Sequence, residues 1–163
     1  MIDTEGLCVE MRRPCRICRR EWLNWLSAMR RAASEAGMLP GQENALRPGG
    51  GDSPEKAAVQ LIVAGDGDIA AVNLRNLGCF GPTNILSFPG EDDGQLGTLF
   101  LSVDTLERES VLYGQDVLVH ARRLLAHGMG HITGFDHSPE MDDFCAWLEE
   151  ACPLPGESPS LDS

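Results

Sequence analysis

The segment His127-Gly128-Met129-Gly130-His131-Ile132-Thr133-Gly134-Phe135-Asp136-His137 sets three imidazoles at i, i+4 and i+10, with a glycine between the second and the third. Two His four residues apart lie on one face of a helix, one turn apart. Gly134 is free to take the left-handed conformation that ends a helix and lets the chain return His137 to the same point. Three neutral imidazoles converging in this way read as a zinc site, one Zn2+ per chain, with a fourth position open for a zinc-bound water as nucleophile. All four His of the chain (120, 127, 131 and 137) fall within 18 residues, which argues against a chance set.

Working outward, the metal helix is predicted from about Asp116 to Thr133, with Val117, Ala121, Leu124 and Leu125 turned to the core. His120 shares the azimuth of His127, but two turns separate them by roughly 10 Å along the axis, so His120 is not a ligand of the same ion. It reads as a hydrogen-bonded histidine in the floor of the cleft, or as a group behind the ligands or against substrate. The spacing H-x-x-x-H-x-x-G-x-x-H is that of the zincin-like metzincin peptidases, yet Gly128 stands where those enzymes carry the Glu that acts as general base. A metallopeptidase is thereby disfavoured. Asp136 is the only carboxylate inside the motif, and it can orient a histidine ligand or serve as base. Ser138 as N-cap and Pro139 at the first helical position begin a last helix with the stripe Met141, Phe144, Cys145, Leu148 and Cys152.

Upstream, Leu7 to Met11 reads as a first strand, and a helix is predicted from Pro14 to Gly37 with Cys15, Cys18, Trp22, Trp25, Leu26, Met29, Ala33 and Ala36 on its buried side. On the opposite face, Arg16, Arg19, Arg20, Arg30 and Arg31 cluster within about 120° at 100° per residue. This is either a solvated face or a surface for RNA. Residues 38–54 carry Pro40, Pro48 and three consecutive glycines and read as a flexible loop within one domain spanning 1–152. Val59 to Val63, Thr83 to Phe88 and Gly97 to Val103 read as strands, and a short helix begins at Asp66. Asp104 and Glu107 form a plausible capping box for the helix that follows. Residues 153–163 are Pro, Ser and Gly rich and are predicted to be a disordered tail. The fold class is α+β, a small mixed sheet packed by helices.

With 163 residues and 42% hydrophobic content the chain can bury one core, and no apolar run reaches the roughly 20 residues of a membrane span. The N-terminus lacks the layout of a signal peptide, so secretion is disfavoured and, in a reducing compartment, free thiols are expected at the six cysteines. A net charge of −12 argues against nonspecific nucleic-acid binding, and no DNA partner is expected. The charge is uneven: residues 1–47 carry a balance of +2 and residues 48–163 one of −14. Any RNA contact therefore leans on placed arginines of the N-terminal part.

The histidine motif, together with Pro82-Thr83-Asn84-Ile85-Leu86-Ser87-Phe88-Pro89, Asn73-Leu74 ten residues before Thr83, Leu96-Gly97 and His120, resembles the YbeY family of bacterial endoribonucleases over about residues 54–150. The resemblance implies one zinc held by His127, His131 and His137. It also implies a cytoplasmic single-strand-specific endoribonuclease that acts on the 3′ end of small-subunit ribosomal RNA and in ribosome quality control, with the ribosomal RNA and small subunit as partners. It puts Thr83, Asn84 and Ser87 beside the cleft, where they either contact substrate or cap backbone groups. The family's substrate-contacting Arg is replaced here by Leu77, which leaves Arg75 as the nearest candidate for that charge. Thr98, Gly130 and Phe135 stand where the family has Asp, Leu and Tyr. A noncatalytic assembly factor with a zinc site, bound to the ribosome through the arginine face, is the alternative.

Overall fold

The computed structural model describes residues 5–39, 56–92 and 94–154. The elements are β1 (Leu7–Met11), α1 (Arg19–Glu35), β2 (Ala58–Ala64), α2 (Asp66–Leu77), β3 (Ile85–Pro89), β4 (Gln95–Ser102), α3 (Val103–Leu112), α4 (Val117–Ile132) and α5 (Pro139–Glu150). The four strands form one sheet in the order β1-β2-β4-β3. β1 pairs parallel with β2 and β2 with β4, while β3 closes the edge antiparallel to β4. The sheet is mixed, as predicted; its central parallel strands β2 and β4 are largely buried on both faces, whereas the edge strand β1 buries only Val9 fully.

Strand alternation sorts the core into two layers. Leu61, Val63, Leu99 and Leu101 face a large cluster with Trp22, Trp25, Leu26 and Met29 of α1, Leu125 and Met129 of α4, and Phe144 and Leu148 of α5. Ile62, Ala64, Phe100 and Leu86 point the other way and are covered by Ile69 and Val72 of α2. Each such large side chain contributes about 1.5–3 kcal/mol of burial. The sheet is thus sandwiched, with α4 beside β3 and β4. Packing continues past Cys152 to Leu154, which is itself buried. Most of the loop expected at 38–54, and residues 155–163 of the expected tail, lie outside the described residues; Leu39, at the start of the loop, is buried. All six cysteines are free thiols, and burial pushes those of Cys145 and Cys152 up to about 11 and about 12.

Three local expectations are corrected. α1 starts at Arg19 rather than Pro14, so Arg16 precedes the helix and Cys18 is its exposed N-cap residue. Arg30 is 2% exposed and leaves the basic face altogether: its guanidinium donates to the carbonyls of Glu5 and Ala57 at 2.7 and 2.9 Å, just before β1 and β2 begin. Helical periodicity alone does not see those carbonyls, which need donors because they lie beyond the ladder. Arg19 stays exposed, but its Nε donates to the Val9 carbonyl at 3.0 Å and ties it to β1. The Asp104–Glu107 capping box does not form. Ser102 caps α3 by accepting from the Thr105 amide, while Asp104 accepts from the Asp66 amide at 2.9 Å and so caps α2, whose own N-cap position holds Gly65.

Candidate metal centre and cleft

α4 is fixed at both ends. Asp116 accepts from the Leu118 amide at 2.8 Å at the N-terminus. At the C-terminus the Gly134 amide donates to the His131 carbonyl and the Phe135 amide to the Gly130 carbonyl, both at 3.0 Å, the paired bonds of a Schellman turn. Gly134 has φ 109°, which only glycine adopts without strain, so the predicted glycine turn is present. Phe135 stacks on Phe144 of α5 with ring centroids 4.7 Å apart, which holds the turn against the body of the protein. The turn carries His137 back beside His127 and His131, with ring centroids 5.2 and 4.7 Å away.

One ligand-capable nitrogen from each of the three rings lies within 4.8 Å of the others. Tautomer chemistry tests whether the cluster fits a metal. His131 Nδ1 lies 3.0 Å from the Phe135 carbonyl, which only accepts, so Nδ1 carries the proton and the Nε2 of a neutral ring offers a lone pair. That Nε2 points at His127 Nε2 from 3.1 Å. Burial, followed by the neighbouring His131 and His137, pushes the His127 pKa down and favours its neutral, ligating form. A neutral ring held by a backbone carbonyl with its other nitrogen facing two further imidazoles is the donor set of a three-His site.

The histidines open into a cleft of about 660 Å³. Its far wall is Leu77 at the end of α2, Thr83 and Asn84 before β3, and Ser87 within it; its near wall includes His127, His131, Phe135, Asp136 and His137. Thr83 and Asn84 precede the strand, and Ser87 shares the face of Ile85 and Pro89, so the poor alternation of these polar residues in sequence is no obstacle. Asn84 is held rigidly: Oδ1 accepts from the Ile85 amide at 2.7 Å and Nδ2 donates to Glu109 at 3.4 Å. Asp136 is exposed on the rim, and the Phe135 carbonyl, not Asp136, orients His131.

His120 lies behind this wall rather than in the cleft floor. It is 5% exposed, its Nε2 is 3.6 Å from Glu109 Oε1, and neither ring nitrogen makes a hydrogen bond among the described residues. Tyr113 meets it edge-on at 5.8 Å. Nothing in the sequence singles out Glu109, the residue that links His120 to Asn84, because its spacing is that of an ordinary helix face. Arg75 is exposed in the last turn of α2 and is not among the residues that line the cleft, whereas Leu77 is. None of the thirteen lining residues is Lys or Arg.

Gly128 explains why the helix can lie so close to the sheet. A Cβ there would fall 2.8 Å from Ile85 Cδ1, 2.9 Å from Leu99 Cδ2 and 3.3 Å from Ser87 Oγ. The position that bears the general base in peptidases of this spacing is therefore a helix–sheet contact. At Gly130 a Cβ would meet Met141 and Cys145 at 3.0 and 3.2 Å, so the helix-propensity loss of about 1 kcal/mol accompanies close packing of α4 on α5.

A family model described as Endoribonuclease YbeY matches residues 47–145, more than half of the chain. An Endoribonuclease YbeY of Nitratidesulfovibrio vulgaris is 50% identical over 114 residues, covering 57% of this chain and 70% of the relative. One from Oleidesulfovibrio alaskensis is 45% identical over 116 residues, covering 56% and 69%. In fold, the chain is similar to a Thermotoga maritima protein solved in solution, with TM-score 0.60 and 16% identity over 90% of this chain and 88% of the other.

Proposed function

The chain belongs to the YbeY family of endoribonucleases, and on that premise we propose that it is a zinc-dependent, single-strand-specific endoribonuclease acting on the 3′ end of small-subunit ribosomal RNA and in ribosome quality control. Its partners on this reading are the ribosomal RNA and the small subunit, and its compartment is the cytoplasm. No helix among the described residues is long and apolar enough to cross a membrane. The observation that carries the reading is the convergence of three imidazoles, one of them oriented by the Phe135 carbonyl, on a cleft of about 660 Å³.

His127, His131 and His137 would hold the ion. A zinc ion bound by three neutral ligands keeps its full charge, which can acidify a water or stabilise charge on a phosphate oxygen. The chain's own part is positional. The Phe135 carbonyl keeps a proton on His131 Nδ1 and so keeps Nε2 basic. Across the cleft the Thr83 and Ser87 hydroxyls and the anchored Asn84 amide offer donors and acceptors to ribose and phosphate oxygens. Asp136, exposed at the rim, is the carboxylate able to take a proton from an attacking hydroxyl.

The direct test is incubation of purified protein with single-stranded RNA, duplex RNA and casein, with and without chelator. Chelator-sensitive cutting of single-stranded RNA alone is the expected result. Casein cleavage would restore the peptidase reading, and no cleavage of any substrate would favour the noncatalytic assembly factor.

A further inference from the structure

On the lip of the cleft the chain leaves large apolar side chains in water. Leu77, which lines the cleft, is 56% exposed; Leu74, one turn earlier on the same side of α2, is 48% exposed; Phe80 is 89% exposed. An aromatic ring this bare gives up nearly all the stabilisation that burial supplies, so the fold does not account for it. Phe80 lies in the loop that joins Leu77 to Thr83, and both ends of that loop line the cleft. The loop is anchored on either side of the ring. The Cys79 amide donates to the Asn73 carbonyl at 3.4 Å, and the Asn73 side chain, 7% exposed, donates to the Gly81 carbonyl at 3.1 Å. Gly78 and Gly81, at φ 67° and 89°, supply the left-handed turns that bring the loop back.

Among the described residues the cleft walls contain no Lys or Arg, and the chain carries a net charge of −12. A polyanion that enters gains little from phosphate neutralisation by the protein. Single-stranded RNA offers a second handle in its unstacked bases, whose π-faces pack on aromatic side chains with little regard to sequence. Resting on the endoribonuclease reading, we propose that Phe80 is a stacking platform for one nucleobase of single-stranded RNA, flanked by Leu77, which sets the adjoining phosphodiester against the three histidines. A duplex keeps its bases stacked on one another and presents no such face, so the same platform selects single strands.

The test uses the full chain loaded with zinc and short RNAs of defined sequence, some carrying one abasic nucleotide. Phe80→Ala is expected to weaken binding of intact single-stranded RNA about 10-fold, the loss of one base stack, with the penalty in KM rather than in kcat. Phe80→Trp restores affinity. The slope of affinity against salt stays the same, because no phosphate contact is lost. An RNA abasic at the stacked position binds wild type and Phe80→Ala alike. Because the ring is exposed, thermal melting should be unaltered, which separates lost stacking from lost folding. Equal affinity of wild type and Phe80→Ala for intact RNA would overturn the platform, as would absence of any single-strand binding. Phe80-dependent binding without cleavage would keep the platform and remove the nuclease reading.

Discussion

On one side of the cleft, the end of α4 and the turn after it present three imidazoles and a carbonyl that fixes a tautomer. On the other side, the end of α2 and the start of β3 present Leu77, Thr83, Asn84 and Ser87, with no Lys or Arg among the described residues that line the cleft. The near wall is tied to backbone geometry at every step, through the Schellman turn, the positive φ of Gly134 and the seating of Gly128 on the sheet. The far wall is more permissive: a half-exposed Leu77 can replace a charged residue without disturbing the core. The three-histidine cluster is therefore built into how this fold closes, whereas the opposite wall is set by replaceable side chains.

The largest expected effect follows from removing a near-wall histidine. His131→Ala should reduce RNA cleavage by about 1,000-fold or more, since a metal contributes several kcal/mol to charge stabilisation. A rate assay on single-stranded RNA checks it, and a mild defect would mean that the near wall is not the reactive one.

Gly128→Glu places the peptidase base into the helix–sheet contact with Ile85 and Leu99. It should cost about 3 kcal/mol or more of stability, from overpacking and a buried carboxylate, and yield no casein cleavage. Denaturant unfolding measures the first part. A stable variant with peptidase activity would show that the near wall tolerates side chains there.

The far wall is sharpened by charge. Leu77→Arg should strengthen single-strand binding and steepen its salt slope by roughly 0.7, the increment for one added phosphate contact on single strands. Arg75→Ala should change cleavage little, because Arg75 does not line the cleft. A strong loss in Arg75→Ala would show that its side chain reaches substrate and that the far wall is not cation-free.

The smallest effect concerns the root of that wall. Asp66 accepts bonds from Ser102, Thr105 and Arg108, each at 2.7 Å, and with Arg108 as the main cause its pKa is lowered to about 2. The unfolded chain binds this proton first, so the stabilisation is fully present above about pH 4 and is lost as pH falls toward 2. Asp66→Asn should cost about 1 kcal/mol at neutral pH and flatten this part of the acid-stability curve, as read by melting against pH. Unaltered acid sensitivity would assign it to other carboxylates.

Much of the near wall was legible because its determinants are local in sequence. The spacing of His127, His131 and His137, the stop at Gly134, the start of α4 near Asp116 and the Ser138 cap each depend on neighbours within a few residues. The mixed sheet followed from strand patterns in the same way. What escaped depends on partners distant in the chain. Arg30 looks like a surface residue until the carbonyls of Glu5 and Ala57 are brought to it. Asp104 looks like a cap for its own helix until Asp66 arrives from 38 residues away. Distance along α4 separates His120 from the three-histidine cluster already in the sequence, but its place behind Glu109 and Asn84 required α3 to pack against α4.

Zinc content tests the central claim most directly, by elemental analysis of the wild type and of the four single His→Ala variants. One zinc per chain is expected in the wild type, with occupancy sharply reduced in the variants at 127, 131 and 137 and retained at 120, whose ring sits behind the far wall. Equal loss in the His120 variant, or full occupancy after removal of His131, would contradict it.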